Sequence, residues 1–575
     1  MPSWCSGLRA GTILRRFGMH DAKNDNAWLC VALGLAAIAN ASGLFVTLIE
    51  ADSAIYADIA KTMVQRHDFI DLFLQGDDWL DKPHLPFWLS AMSFSIFGFS
   101  TFAYKLPAFL FVLAATFYTY AFARAFYERR IALSAATIFL SAEHIILSSS
   151  DVRAEAYLTA FVIGSVYHFH RASSTDSHSN LVAGSLLAAA AVMTKGIFAL
   201  VPIGGAVAGG LLLGRQWGRA FHVRWLAAAL LILVFISPEI YSLWSQFDLH
   251  PEKTVFGTTG VSGVRFFFWD SQFGRFFHTG PVRRPDGNPL QYFHIVLWAF
   301  LPWSVPLYAA AYDAISRLVR RQPQAADYFN LSGGLVTFLL FSASQFQLPH
   351  YLNIAFPFFA IVTSAYLFAS ATPTAERLAG IWQWLFVGGL LAVVVAMQLL
   401  LNAADWAGPA AFLAAAVLVT LYLQKRPWEQ WQSRLIVVLA TATVCGNLFL
   451  NCFLMPALMR YQAGSEMAWY LNAHYPGRPV LQPRSDLYSW ALDFYLQAPV
   501  TAIPAAALGG GQLPEGALVY AQARMLQPFM DEFRLLHRTV RHSVSRLPLA
   551  FLNPATRDST LTETWLVQVE RHPKD

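Results

Sequence analysis

Five connections between long apolar runs carry acids, cations or a histidine, and charged groups beside membrane-type segments are costly and tend to be functional. The first holds Glu50-Ala-Asp52-Ser53-Ala-Ile-Tyr56 and, further on, Asp81-Lys82-Pro83-His84. In the second, Asp151 and Glu155 fall one helical turn apart on one face, with Arg153 pointing elsewhere. Lys195-Gly196 forms the third. In the fourth, Arg265 and Arg275 sit in a run of phenylalanines around Trp269, followed by Arg283 and Arg284. The fifth is Gln347-Leu348-Pro349-His350-Tyr351-Leu352. Arginines among aromatics suit an anionic lipid headgroup, because guanidinium forks pair with phosphate oxygens while the rings sit at the interface. Simpler roles compete at each place. Asp52 suits a helix N-cap, Lys195 a snorkelling lysine, and the arginines an interfacial aromatic belt.

A scaffold must bring these connections to one face, and the composition says what kind. The chain has 575 residues, 56% hydrophobic, 15% aromatic and only 13% charged, with mean hydropathy +0.43. A soluble chain carries about 25% charge to cover its surface, so a simple globular protein is excluded. A helical crossing uses about 20 apolar residues, which leaves room for a dozen or so crossings and an aqueous part. Net charge is +5 and the lysines and arginines are scattered, so nucleic acid is not an expected partner. Cys5, Cys30, Cys445 and Cys452 show neither metal-ligand spacing nor a disulfide framework.

Apolar runs at 28–49, 105–127, 131–149, 152–170, 180–194, 197–214, 225–241, 292–312, 329–345, 351–371, 378–402, 408–423 and 435–455 give about 13 crossings. With the N-terminus inside, Arg129, Arg130, Arg171, Arg215, Arg219, Arg224, Arg317, Arg320, Arg321, Arg377, Lys425, Arg426 and Arg434 all fall in inner connections, as the positive-inside rule requires. The short run 86–100 would reverse every later loop if counted, so it is expected to lie on the outer face as an interfacial helix. Residues 1–27 are then inside, 28–456 form the membrane domain with outer loops 50–104 and 242–291, and 457–575 form an outer domain. Short alternating runs at 517–523 and 564–569 mark that tail as small and α/β or mostly β.

Asp52 with Tyr56 and Ile59, the Asp81-Lys82-Pro83 turn with Leu85 and Trp88, Lys105-Leu106-Pro107, Lys195-Gly196 and Leu348-Pro349-His350-Tyr351-Leu352 together resemble the GT-C membrane glycosyltransferases. Within that class the chain looks most like the aminoarabinose transferases that modify lipid A and their relatives the protein O-mannosyltransferases. The resemblance implies an all-α polytopic membrane domain of GT-C type in a bacterial inner membrane, with a small periplasmic C-terminal α/β domain. It also implies a polyprenyl-phosphate sugar donor and a lipid or envelope-glycan acceptor among the membrane lipids. The family's first-loop acid falls on Asp52, its acid-Lys-Pro lysine on Lys82, the acid opening the fourth span on Glu155 and its Leu-Pro-x-Tyr tyrosine on Tyr351. Asp52-Ser53 stands where the family usually has Asp-Glu, and Glu155 where Asp is common. The histidine that helps bind a divalent metal in the family is replaced near Ser271–Gln272, so a divalent metal stays open as a cofactor but no ligand to it is assigned, and a different donor sugar or acceptor is implied.

What the resemblance implies is an inverting transferase. Lys82, assisted by Arg265 or Arg275, would hold the departing phosphate, where charge develops in the transition state. Asp52 would orient or deprotonate an acceptor hydroxyl, or position an acceptor phosphate that is already ionised. Glu155, with Asp151, would bind sugar hydroxyls or an amino group. Tyr56, Asp81, Arg153, Lys195, His350 and Tyr351 complete the expected substrate site. A flippase for a lipid-linked solute is the rival of another class; it predicts repeated halves and charges spread through the spans. A protein O-glycosyltransferase and an O-antigen-ligase-like enzyme are rivals within the same chemistry.

Overall fold

The computed structural model describes residues 24–570 apart from 278, 280–286, 321, 323–324, 402–405, 486, 510 and 544–546. Arg283, Arg284, Arg321 and all but the last four residues of the 1–27 segment therefore lie outside the described residues. Helices dominate up to Met459. They are α1 (Asp25–Ser42), α2 (Asp52–Arg66), α3 (Leu85–Phe97), α4 (Thr101–Arg124), α5 (Arg129–Leu140), α6 (Glu143–Ser150), α7 (Ala154–Thr175), α8 (His178–Lys195), α9 (Leu200–Leu213), α10 (Arg224–Phe235), α11 (Ser237–Leu243), α12 (Gln291–Ala299), α13 (Ser304–Val319), α14 (Ala325–Ala343), α15 (Phe356–Ala369), α16 (Pro373–Leu401), α17 (Ala407–Lys425) and α18 (Trp431–Phe449). Every apolar run read from the sequence overlaps one of these helices or a consecutive pair.

Among the described residues, seven helices are long and apolar enough to cross a membrane, or eight if α5 and α6, bent by 49°, are one span. The count of about 13 is not reached on that measure. The physical reason is interruption and length: 292–312 is two helices, 197–214 is too short after the turn at Gly196, and α7 carries Glu155 and a polar C-terminal end. The short helix α3 leaves Met92, Ile96 and Phe97 exposed.

Local chemistry sets the ends that matter for the site. Ser100 caps α4 and Ser177 caps α8 through their hydroxyls. Lys105, fully buried in α4, donates to the carbonyls of Gly43 (3.1 Å), Val46 (2.5 Å) and Ser150 (2.6 Å). One ammonium thus ties together the chain leaving α1 and the end of α6 and supplies a donor to carbonyls at both. Below them Asn40 bridges the Leu140 carbonyl (3.0 Å) and the Ser149 hydroxyl (2.8 Å).

The C-terminal part begins with α19 (Gly464–His474) and builds a five-stranded sheet. Its strands are β3 (Val480–Pro483), β4 (Val500–Ile503), β5 (Leu518–Gln522), β6 (Phe533–Arg541) and β7 (Thr562–Val569), in the order β4-β3-β5-β7-β6. A two-stranded hairpin, β1 (Phe73–Leu74) with β2 (Asp77–Asp78), belongs to the first loop. β3 is parallel to β4 and β5, and β7 is antiparallel to β5 and β6, so the two alternating runs seen in the sequence are paired neighbours. The helix α20 (Trp490–Tyr495) packs on α2.

At that contact Asp493 accepts from Tyr488 (3.0 Å) and from Gln75, beside Lys61, Asp58 and Glu50. Burial pushes the Asp493 carboxyl up to about 8, against the Tyr488 and Gln75 hydrogen bonds and the Lys61 ammonium, and burial raises Asp58 as well. The folded protein therefore keeps a proton on Asp493 where an unfolded chain loses it near pH 4. Stability is expected to fall as pH rises from about 4 to 8 and to level off above that. Asp493→Asn should flatten the fall, measured as thermal midpoints from pH 5 to 9; identical profiles would refute it.

Candidate functional site

One cavity collects the chemistry-bearing residues of all five connections. It is lined by Asp52, Tyr56, Asp81, Lys82, Arg153, Glu155, Lys195, Arg275, His350 and Tyr351, with Ser271, Gln272 and Phe346. Asp52 is the first residue of α2, but Ala51 occupies the N-cap and makes no side-chain cap bond. The Asp52 carboxylate instead receives Arg153. Arg153 also holds Asp151, through Nη2 at 2.7 Å and Nε at 3.0 Å. This corrects the helical geometry expected for that stretch. Asp151 ends α6 at ψ 84° and Arg153 precedes α7 at ψ 165°, so the backbone between them is extended and residues two apart share a side. Asp151 faces Arg153 from outside the cavity lining rather than sharing a helix face with Glu155.

The Asp81-Lys82 turn supplies a second group. Lys82 Nζ lies 2.5 Å from Asp81 Oδ2, and Arg275 pairs with Asp81 Oδ1. Burial would raise the Asp81 carboxyl, but Lys82 and Arg275 hold it below the usual carboxylate range. Burial lowers Lys82, with the Asp81 charge opposing. Burial also pushes the Tyr56 phenol well above its ordinary value, so it stays a hydrogen-bond donor. Behind the turn, His84 and Glu239 are fully buried. The His84 amide and Nδ1 each lie 3.0 Å from Glu239, and Nε2 lies 2.9 Å from the Ile70 carbonyl. This pair, not foreseen from sequence, fixes the turn carrying Lys82 to α11.

Glu155 forms the third group. It is 2% exposed, pairs with Lys195 and lies 3.8 Å from His350 Nε2. The Lys195 ammonium sits 3.4 Å from the centroid of the Tyr351 ring, a cation–π contact. Gly196 ends α8 at φ +90°, which favours glycine, and a Cβ there would collide with the Gln272 amide. Gln272 thus reaches the cavity wall only because residue 196 is glycine, and no local pattern marks it.

Arg265 is not brought to this site. It is 74% exposed and lies 3.5 Å from Asp270. Of the two arginines weighed for the phosphate, only Arg275 faces the cavity. Arg265→Ala should leave binding of a phosphate-headed amphiphile to the purified protein unchanged, whereas Arg275→Ala should weaken it about tenfold, the worth of one charge-assisted contact. Equal effects of the two would refute this assignment.

Four cations face three carboxylates across the lining, and each of those carboxylates is held by a cation. Among the described residues no group of three or more His, Cys, Asp and Glu could hold a metal ion. With each lining carboxylate already paired to a cation, this donor set does not fit a divalent metal.

An apolar groove adjoins the cavity and shares Lys195, Ser271, Gln272, Arg275, Phe346 and Tyr351 with it. The rest of its wall is Leu158, Phe198, Ala199, Pro202, Phe276, Leu340, Phe341, Ser344 and Ile354. A polar cation-bearing chamber that shares a wall with an apolar groove suits an amphiphile with an anionic head.

The fold and these motifs are those of a multi-span membrane protein built like the GT-C membrane enzymes it resembles. Comparison with known proteins bears out that resemblance. Residues 81–242 match the family described as dolichyl-phosphate-mannose-protein mannosyltransferase. The fold matches the crystal structure of ArnT from Cupriavidus metallidurans bound to undecaprenyl phosphate, with TM-score 0.69 at 16% identity over 98% of this chain and 100% of that one. The apo ArnT structure gives TM-score 0.68 over 94% and 97%, also at 16% identity. The undecaprenyl phosphate-alpha-4-amino-4-deoxy-L-arabinose arabinosyl transferase of Edwardsiella ictaluri is 24% identical over 60% of this chain and 61% of its own. An uncharacterised protein of Aquifex aeolicus is 24% identical over 58% and 62%. The chain thus spans less than two thirds of the length of these two relatives.

Proposed function

We propose that the protein moves a sugar from a polyprenyl-phosphate donor to a lipid, lipid A-like, or other envelope-glycan acceptor by inverting displacement. The observation that carries this is the sharing of Lys195, Arg275 and Tyr351 between the polar cavity and the apolar groove. The polyprenyl tail lies in the groove and the phosphate meets Lys82, Arg275 and Lys195. The acceptor oxygen attacks C1 from the face opposite the phosphate. The new C1–O bond forms as the old one breaks, and the electron pair leaves on the phosphate, where the preorganised cations stabilise it. Asp52 takes the proton of an acceptor hydroxyl or positions an ionised acceptor phosphate. Glu155, almost wholly buried behind Lys195, acts by holding that ammonium against Tyr351 rather than by touching the sugar.

This reading carries its topology with it. The N-terminus is cytoplasmic, about 13 crossings follow, α3 lies on the outer face, and residues 457–575 form a periplasmic domain in a bacterial inner membrane. The match to a protein mannosyltransferase family keeps a protein hydroxyl among the acceptors. Mass spectrometry of lipid A, other envelope glycans and envelope proteins, with and without the gene, tests all of these. A mass difference of one sugar names the acceptor, and no change in any of them overturns the reading.

A further inference from the structure

Asp52 and Tyr56 ride on α2, and the approach to that helix is held by residues from the last quarter of the chain. The Tyr495 hydroxyl accepts from the Leu48 amide at 2.9 Å. Gln462 donates to the Leu48 carbonyl at 2.8 Å and accepts from the Glu50 amide at 3.0 Å. The Glu50 side chain, 8% exposed, points the same way. Its Oε1 accepts from the Ser489 hydroxyl (2.6 Å) and the Ala491 amide (2.8 Å), and its Oε2 from Arg541 Nη2 (2.9 Å). Arg541, the last residue of β6, also donates to the Leu487 carbonyl. Further along α2, Lys61 donates to the carbonyls of Asp493 (2.7 Å), Phe494 (3.0 Å) and Leu496 (3.3 Å).

A carboxylate before α2 therefore meets the amide end of α20, and an ammonium within α2 meets its carbonyl end, satisfying groups a helix leaves open at both termini. Asp52 stands between the two anchors, two residues past Glu50, with its carboxylate turned to Arg153 and the cavity. Glu50 and Arg541 are 491 residues apart in sequence, and Glu50 does not line the cavity. A buried carboxylate is tolerated only where it is fully paired, and here every partner of its side chain comes from the C-terminal part.

We infer that Glu50 and Arg541 are positioning residues, through which the C-terminal part of the chain sets where Asp52 stands against the acceptor. The inference rests on the transferase reading above. A displacement of about 1 Å at a reacting group can cost two orders of magnitude, so a clamp two residues away reaches the chemistry without touching it.

The test compares Glu50→Gln in the wild-type and Asp52→Asn backgrounds, in full-length protein in membranes. Product is measured by mass spectrometry over incubations long enough to read the residual rate, and affinity is measured with undecaprenyl phosphate alone. Glu50→Gln should lower product formation about tenfold, leave that affinity within about twofold, and cost nothing further once Asp52 is Asn, because it acts through Asp52. The same fold loss in both backgrounds, or a loss of affinity as large as the loss of product, would overturn the inference. If Glu50→Gln does not yield folded protein, Arg541→Lys decides by the same comparison, with an expected loss of about threefold in the wild-type background alone. Wild-type membranes without any transfer would count against the transferase reading itself. Transfer in the wild type with multiplying losses would count against the clamp alone.

Discussion

Asp52→Asn is expected to lower product formation by about 10²–10⁴, the contribution of a positioned general base, while leaving affinity for undecaprenyl phosphate within about twofold. The substitution keeps the shape of the side chain and its ability to accept from Arg153, so α2 and the Arg153–Asp151 pair should stay in place. It removes the one carboxylate of the lining that is 43% exposed and so free to meet an acceptor. Asp52 is an anion paired with Arg153 and is not among the cations that meet the donor phosphate, which is why donor binding should be spared. The size of the loss also reports the acceptor. A hydroxyl needs its proton taken and should show the full effect, whereas an already ionised phosphate needs only positioning and should lose about tenfold. Full activity in Asp52→Asn would remove Asp52 from the mechanism.

Lys82→Ala should cost about 10²–10³ in product formation, with weaker binding of undecaprenyl phosphate. Two effects combine. The departing phosphate loses a preorganised cation, and Asp81 keeps only Arg275, drawing that guanidinium further from the ligand. The second effect gives a contrasting variant. In Asp81→Asn both cations are released from a competing carboxylate, so undecaprenyl phosphate should bind more tightly than to the wild type, as read by titration of the purified protein in nanodiscs. Lys82→Ala with wild-type product formation, or Asp81→Asn with weaker binding, would show that the phosphate lies elsewhere.

Much of the candidate site was legible because its residues contradict their surroundings. Asp52, Lys82, Glu155, Lys195 and His350 are polar groups beside apolar runs, and hydropathy alone separates them from the scaffold. Their partners were less legible. Arg153 was expected to point away from Asp151 because a helical angle was applied to two residues whose backbone is extended. Arg265 and Arg275 sit in the same aromatic run with the same local pattern, and only the path of the loop turns one into the cavity and leaves the other beside Asp270. The His84–Glu239 pair links positions 155 residues apart; His84 follows the Asp81-Lys82-Pro83 turn, but nothing local marks Glu239 as its partner.

Composition and the apolar runs determined by themselves that this chain is built of apolar helices, roughly where along the sequence those helices fall and which connections carry charge. These are local properties, set by the cost of placing polar groups in hydrocarbon. Tertiary structure decided which of those charges neutralise one another, that the cavity shares a wall with an apolar groove, and that Asp52 is anchored through Glu50 to Arg541. Those facts depend on contacts between residues tens to hundreds of positions apart, and no single segment encodes them.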